Sequence, residues 1–255
     1  MAQQTQAARA GESWTRFMAT FPTVEALADA PPADVLRAWQ GLGYNRRAIN
    51  LQRAARVIVD EHSGTVPSDL AALEALPGIG PYTARAVAAL AFGLPVGAVD
   101  TNVRRVLGRI VAGEVGVLDA KSMQQVADDA VPPDRPGFWT HALMDIGATI
   151  CKPRRPLCEA CPAQPWCRYA TAPPTPESRP RAIREAPAAF HTTSRWLRGR
   201  IVERLRAAPN GEWVELEAPM GDHDGAAIDQ ALDALAHDGI VELVGSDPRR
   251  ARLPT

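Results

Sequence analysis

Cys151, Cys158, Cys161 and Cys167 are the chain's four cysteines and fall within 17 residues in the pattern C-x6-C-x2-C-x5-C. Such clustering in a chain with no export signal suits a metal better than disulfides. Four thiolates would satisfy zinc, although a structural zinc site more often brings two C-x2-C pairs and this sequence has one. A second candidate is Leu76-Pro77-Gly78-Ile79-Gly80-Pro81-Tyr82-Thr83, which leads into the apolar run Ala84 to Ala91. Gly78 and Gly80 ahead of a helix let the backbone turn tightly and aim N–H groups at an anion, which the helix dipole favours. A plain interhelical turn is the competing reading. A dinucleotide fingerprint is disfavoured, because no parallel-strand pattern precedes it and the third glycine is missing. Further on, Asp100 follows an apolar stretch and opens Thr101-Asn102-Val103-Arg104-Arg105-Val106. Capping that helix is the simplest role for Asp100.

The elements around these residues read as helices. Val24, Leu27 and Ala28, then Val35, Leu36 and Trp39, recur at three- and four-residue steps, with Thr23 as an N-cap and Pro31-Pro32 separating the two runs. Ala48 to Glu61 predicts a longer amphipathic helix with Leu51, Ala54, Ala55 and Ile58 on one side, and Trp14, Trp39 and Trp139 are expected in the core. The first 170 or so residues show no sustained alternation of period two, so the expected fold is mainly α. Five prolines between Pro173 and Pro187 mark a linker, which divides the chain into 1–172, a Pro/Arg-rich linker 173–189 and a module 190–255. In that module Trp196 to Leu205 and Ala226 to Ala236 suit helices, and Gly239 to Val244 with Ala251 to Leu253 suit a hairpin. The order resembles a small winged-helix-like α+β domain.

The 46% hydrophobic content supports a substantial core, and the formal net charge of −1 hides an uneven distribution. Between 179 and 206, Arg179, Arg181, Arg184, Arg195, Arg198, Arg200, Arg204 and Arg206 face only Glu185 and Glu203. A phosphate backbone feels such a local potential rather than the total. With 22% charged residues, no apolar run near 18 residues and no apolar signal core after Met1, the expectation is a soluble cytoplasmic protein with no membrane span.

Taken together, the Gly78/Gly80 segment, Asp100 and the cysteine spacing resemble the helix-hairpin-helix DNA glycosylases of base-excision repair. Within them, Met1 to Gln6, Phe21-Pro22-Thr23, Trp39 to Tyr44, Asn50-Leu51 and Leu143 to Ala148 resemble, in order, segments of the MutY type of adenine DNA glycosylase, over residues 1 to about 170. The resemblance implies a [4Fe-4S] cluster on the four cysteines, ahead of zinc, and a monomer that binds double-stranded DNA containing a mispair. It implies excision of adenine opposite 8-oxoguanine or guanine, with a mismatch thymine or uracil glycosylase or an inactive lesion-binding protein as alternatives. Gln3, Gln4 and Tyr44 would lie at the lesion, and Gly78, Gly80 and Thr83 would grip phosphate. Arg46, Arg47, Arg104 and Arg105 would reach DNA, and Lys152, Arg154 and Arg155 would form a cationic loop. Asp100 would stabilise the oxocarbenium-like sugar while Tyr82 and Asn102 support it. The superfamily's lyases carry a lysine where Tyr82 stands, and neither Lys121 nor Lys152 lies there, so a monofunctional enzyme is expected. In bacteria such an enzyme would be nucleoid-associated.

Two departures accompany this resemblance. The family's general acid, a glutamate, falls about two residues ahead of Met1, along with opening helices, and a start placed too late is the favoured explanation over true loss or replacement by Glu12. Residues 190–255 are also too short and too differently patterned for the MutT-like domain that helps such enzymes read 8-oxoguanine. The winged-helix-like module would supply general DNA affinity instead.

Overall fold

The computed structural model describes residues 1–3, 5, 7–114, 116–171, 189–245 and 249–255. Gln4, the linker before Ala189 and Arg179, Arg181 and Arg184 of the basic band lie outside the described residues. The chain forms α1 (Ala7–Thr20), α2 (Val24–Asp29), α3 (Pro32–Ala38) and α4 (Arg46–His62), then α5 (Leu70–Ala75), α6 (Pro81–Ala91), α7 (Thr101–Ala112) and α8 (Ala120–Asp129). These are followed by α9 (Pro136–Asp145), which runs into a π turn Ile146–Ile150, and by a short α10 (Arg168–Thr171). The remainder holds α11 (Ser194–Ala207), β1 (Val214–Glu215), α12 (Gly225–His237), β2 (Glu242–Val244) and β3 (Arg250–Arg252). The strands form one antiparallel sheet in the order β1-β3-β2, with Val214 and Leu243 both registered against Ala251. A mainly helical fold with a small C-terminal sheet is thus what the sequence predicts, β1 being the addition.

Two compact units result, one made of Met1–Val66 with Arg184–Thr255 and the other of Pro67–Ile183. This division differs from the sequence-based boundaries. The apolar face of α11 (Leu197, Ile201, Val202 and Leu205) and Leu232 and Leu235 of α12 share one core with Phe17, Leu36, Trp39 and Ile49. Each Leu or Ile so buried contributes about 1.5–3 kcal/mol, enough together to make the C-terminal residues part of the first unit's interior.

Within this unit Thr23 caps α2 as expected, its Oγ1 accepting from Ala26 N at 3.1 Å. The buried side of α4 is Ala48, Ile49, Gln52, Ala54, Ala55 and Ile58, while Leu51, expected inside, is 36% exposed. The helical period carries position 52 inward in its place, and Gln52 is tolerated there because its Nε2 donates to Leu27 O at 3.2 Å and Ala30 O at 2.5 Å. Trp39 is buried and Trp139 partly so, but Trp14 is 57% exposed, because Ala10, Ser13 and Phe17 occupy the inward face of α1. The second unit packs Val103, Val106 and Leu107 of α7 against Met123 and Ala127 of α8 and Leu143 of α9. Asp69 and Asp119 cap α5 and α8, their Oδ1 atoms accepting from Ala72 N at 2.9 Å and Ser122 N at 2.7 Å.

Candidate active site and cysteine loop

The hairpin between α5 and α6 turns at Gly78, whose φ of 77° lies in the left-handed region that only glycine adopts cheaply. Ile79 N donates back to Leu76 O at 3.1 Å and closes the turn. Gly80 differs: at φ −93° it is extended, and a Cβ there would meet nothing within 4 Å. It leaves open space ahead of α6, whose amino end opens with Pro81 and has no side-chain cap. That is the arrangement at which helix dipoles favour anions. Thr83 is half-buried one turn in. Tyr82 is 36% exposed, and its phenol is pushed above the ordinary tyrosine range by burial first and by the Asp100 charge second.

Asp100 is half-buried at the amino end of α7. Its Oδ1 accepts from Val103 N at 2.7 Å, so it does cap the helix; its Oδ2 accepts from Asn102 Nδ2 at 3.1 Å. Capping occupies one oxygen and Asn102 orients the other, so the simple role and the catalytic one are compatible. Asn102 is oriented in turn, its Oδ1 accepting from Arg105 Nη2 at 2.8 Å. Arg105 also donates from Nη2 to Gly147 O and from Nε to Cys151 O, both at 2.7 Å. Gly147 lies in the π turn, and a Cβ on it would stand 2.7 Å from Asn102 Cβ, so its lack of a side chain permits this approach. A hydrogen-bonded chain therefore runs from Asp100 through Asn102 and Arg105 to the first cysteine.

All four cysteines are free and half-buried, and they line one apolar pocket with Val106, Ile110 and Ile146. Burial, followed by the charges of Cys167, Cys151 and Cys161, pushes the Cys158 thiol up. Arg109 is 6% exposed and reaches this pocket, donating to Cys151 Sγ at 3.3 Å, Lys152 O at 2.9 Å and Pro153 O at 2.8 Å. Its guanidinium lies 4.6 Å from the Tyr169 ring centroid. Among the described residues, no group of three or more Cys, His, Asp and Glu stands where it could hold a single metal ion. Lys152, Arg154 and Arg155 are exposed.

Gln3, Tyr44 and Arg46 belong to the other compact unit. Gln3 is exposed, and Tyr44 is 44% exposed with φ 47°. Left-handed backbone in a residue bearing a Cβ costs about 1–3 kcal/mol, the kind of strain found at functional positions. Arg46 is largely exposed and pairs with Asp238 at 3.4 Å. Arg47 and Arg105, both expected to reach DNA, are committed internally. Arg47 donates to Met1 O at 3.1 Å, Leu42 O at 2.8 Å and Gly43 O at 3.1 Å, and also to Gln3 O. Arg104 is half-buried, with Nη1 3.5 Å from Leu118 O. Sequence reasoning missed the positioning roles of Arg105, Arg109 and Gly147. The one signal available was Arg105 and Arg109, four apart, on the same face of α7.

This fold and site define a class of protein: residues 1–129 match the HhH-GPD superfamily base excision DNA repair family, and the chain belongs to that family. Its relatives narrow the field. The adenine DNA glycosylase of Mycobacterium tuberculosis (strain ATCC 25618 / H37Rv) is 42% identical over 250 residues, which span 94% of this chain and 79% of that protein. That of Mycolicibacterium smegmatis is 39% identical over 243 residues, 95% of this chain and 81% of the relative, so the likeness takes in the C-terminal residues. The human adenine DNA glycosylase is 43% identical over 172 residues, 66% of this chain and 32% of its own. Among solved structures, a thermostable thymine-DNA glycosylase superposes with a TM-score of 0.62 at 32% identity, covering 66% of this chain and 79% of that one. A non-covalent endonuclease III–DNA complex gives 0.59 at 27%, covering 67% and 79%. No helix among the described residues is long and apolar enough to cross a membrane.

Proposed function

We propose that this protein is a monofunctional adenine DNA glycosylase of base-excision repair, which takes adenine from a mispair with 8-oxoguanine or guanine in duplex DNA. The observation that carries the reading is the Asp100 carboxylate, with one oxygen fixed by the α7 cap and the other oriented by Asn102, its charge felt by the Tyr82 phenol. Cleavage of a glycosidic bond on a flipped-out nucleotide builds positive charge on the sugar, and a preorganised carboxylate stabilises it. Tyr82 has no amine with which to form a Schiff base, so water completes the reaction and the strand stays intact. Asn102 keeps the carboxylate in place, and the bare amino end of α6 behind Gly78 and Gly80 receives a backbone phosphate. Exposed Gln3 and Tyr44 suit contact with the opened base pair.

Cys151, Cys158, Cys161 and Cys167 would hold a [4Fe-4S] cluster; the shared apolar pocket supports the fit, and the donor set is thiolate throughout. Such a cluster supplies structural rigidity to the loop it closes. Arg109, donating to Cys151 Sγ, offsets part of the thiolate charge, and the loop presents Lys152, Arg154 and Arg155 toward phosphate.

Base release from duplexes carrying A opposite 8-oxoguanine, A opposite G, T opposite G and U opposite G tests the assignment. Adenine should be freed, without strand cleavage or borohydride trapping. Release of thymine or uracil in its place would transfer the protein to the reading that the thymine-DNA glycosylase likeness favours. Asp100→Asn should keep duplex binding and lose at least about 100-fold in excision rate, since Asn still caps a helix but carries no charge. Unchanged turnover would remove Asp100 from its role.

A further inference from the structure

The C-terminal residues touch the one aromatic side chain for which a place in the base stack is proposed. The backbone beneath Tyr44 is pinned, with Trp39 Nε1 donating to Gly43 O at 3.1 Å and Arg47 Nη2 donating to Leu42 O and Gly43 O. The ring itself projects. Over it lies the guanidinium of Arg195, 4.2 Å from the ring centroid, and the same guanidinium is 5.9 Å from the centroid of Phe190, which is 61% exposed. Arg195 stands in the first turn of α11, behind the Thr193 cap. That helix is tied to the segment around Tyr44 at two further points. Arg206 donates from Nε to Leu36 O at 2.8 Å and from Nη2 to Asn45 Oδ1 at 2.7 Å, and Asp238 is shared between Arg198 and Arg46.

A planar cation laid on one exposed ring and beside another is a poor use of a residue meant only for phosphate, which any mobile lysine could meet as a point charge. It is a good way to fix the plane of a ring and to extend a surface on which unstacked bases can rest. We propose that Arg195 is a positioning residue for Tyr44: it sets the angle at which the ring enters the opened base stack, with Phe190 extending the same ledge. The C-terminal module then acts in lesion engagement itself, beyond general affinity for duplex. This rests on Tyr44 meeting DNA.

The test uses the full chain and a mispair duplex with a fluorescent adenine analogue next to the lesion, reading both affinity and the brightening that reports unstacking. Arg195→Met should weaken mispair binding by roughly twofold to thirtyfold, the range for a cation–π contact, and reduce the brightening. Arg195→Lys, which keeps the charge and loses the planar face, should resemble Met. In Tyr44→Ala, adding Arg195→Met should change little further. Full recovery by lysine, or losses that multiply in the double variant, would overturn the proposal in favour of an independent phosphate contact. Neither readout needs base release, so a chain that excises no adenine would sink the proposed function and leave this result standing.

Discussion

Arg105 separates an internal role from a DNA-facing one, and the two predict opposite results. In Arg105→Met the stem is kept and three hydrogen bonds are lost, to Asn102 Oδ1 at 2.8 Å and to Gly147 O and Cys151 O at 2.7 Å each. A bond from a charged donor contributes about 1.5–3 kcal/mol when its acceptor is left unpaired. These acceptors are only partly buried and water can replace some of the loss, so the expected destabilisation is roughly 2–4 kcal/mol. At about 2–4 °C per kcal/mol for a chain of this size, Tm should fall by roughly 5–15 °C. Asn102 would also lose its anchor and Asp100 its second contact, so the single-turnover excision rate should drop by about tenfold or more while affinity for undamaged duplex holds. The assay is a pair of measurements, thermal unfolding and the dependence of duplex affinity on salt. Were Arg105 a phosphate contact, its loss would reduce the slope of log affinity against log salt by about one and leave Tm nearly unchanged. That pattern would refute the internal role.

Gly147→Ala should push Asn102 away from Asp100, since the new Cβ would stand 2.7 Å from Asn102 Cβ; excision measured in single turnover should fall roughly 10- to 100-fold with duplex binding retained. Tyr82 yields a pH signature. Its phenol holds its proton more tightly in the folded chain, so the stability it contributes is complete below the unfolded phenol's pKa of about 10 and is lost as pH rises through the folded value. Tyr82→Phe should flatten the decline in unfolding free energy above about pH 10, and an undiminished decline would assign it elsewhere. Protein purified in air should be brown and contain iron with acid-labile sulfide, and Cys158→Ser should bleach it; a colourless protein holding stoichiometric zinc would overturn the cluster.

What could be read from sequence was what lies close together along the chain. The turn at Gly78, the cap at Thr23 and Asp100 at a helix start are each defined within a few residues, and all three stand where the pattern puts them. What could not be read depends on partners far away that leave no mark in residue type. Arg105 donates to the main-chain carbonyls of residues 42 and 46 positions on, and a carbonyl is the same at every residue. An arginine on a helix therefore looks equally suited to solvent, phosphate or interior. Trp14 and Leu51 misled for a related reason, since apolar character alone does not choose between neighbouring positions of a helix. The helix around Trp196 to Leu205 was legible, but its companions were not: nothing in Leu197, Ile201 and Leu205 says that they meet Phe17, Leu36 and Trp39.

That shared interior has a bearing on how the molecule is made. Phe17, Leu36 and Trp39 share their core with side chains of α11 and α12 that are translated well over a hundred residues later. At about 5–20 residues per second the interval is on the order of ten seconds. Pro67–Ile183, by contrast, is continuous in the chain and can close on itself during that wait. Helices α1 and α3 are thus fully sheltered only after α11 and α12 emerge, and a nascent chain stalled before α11 would present chaperones and proteases with an open apolar surface.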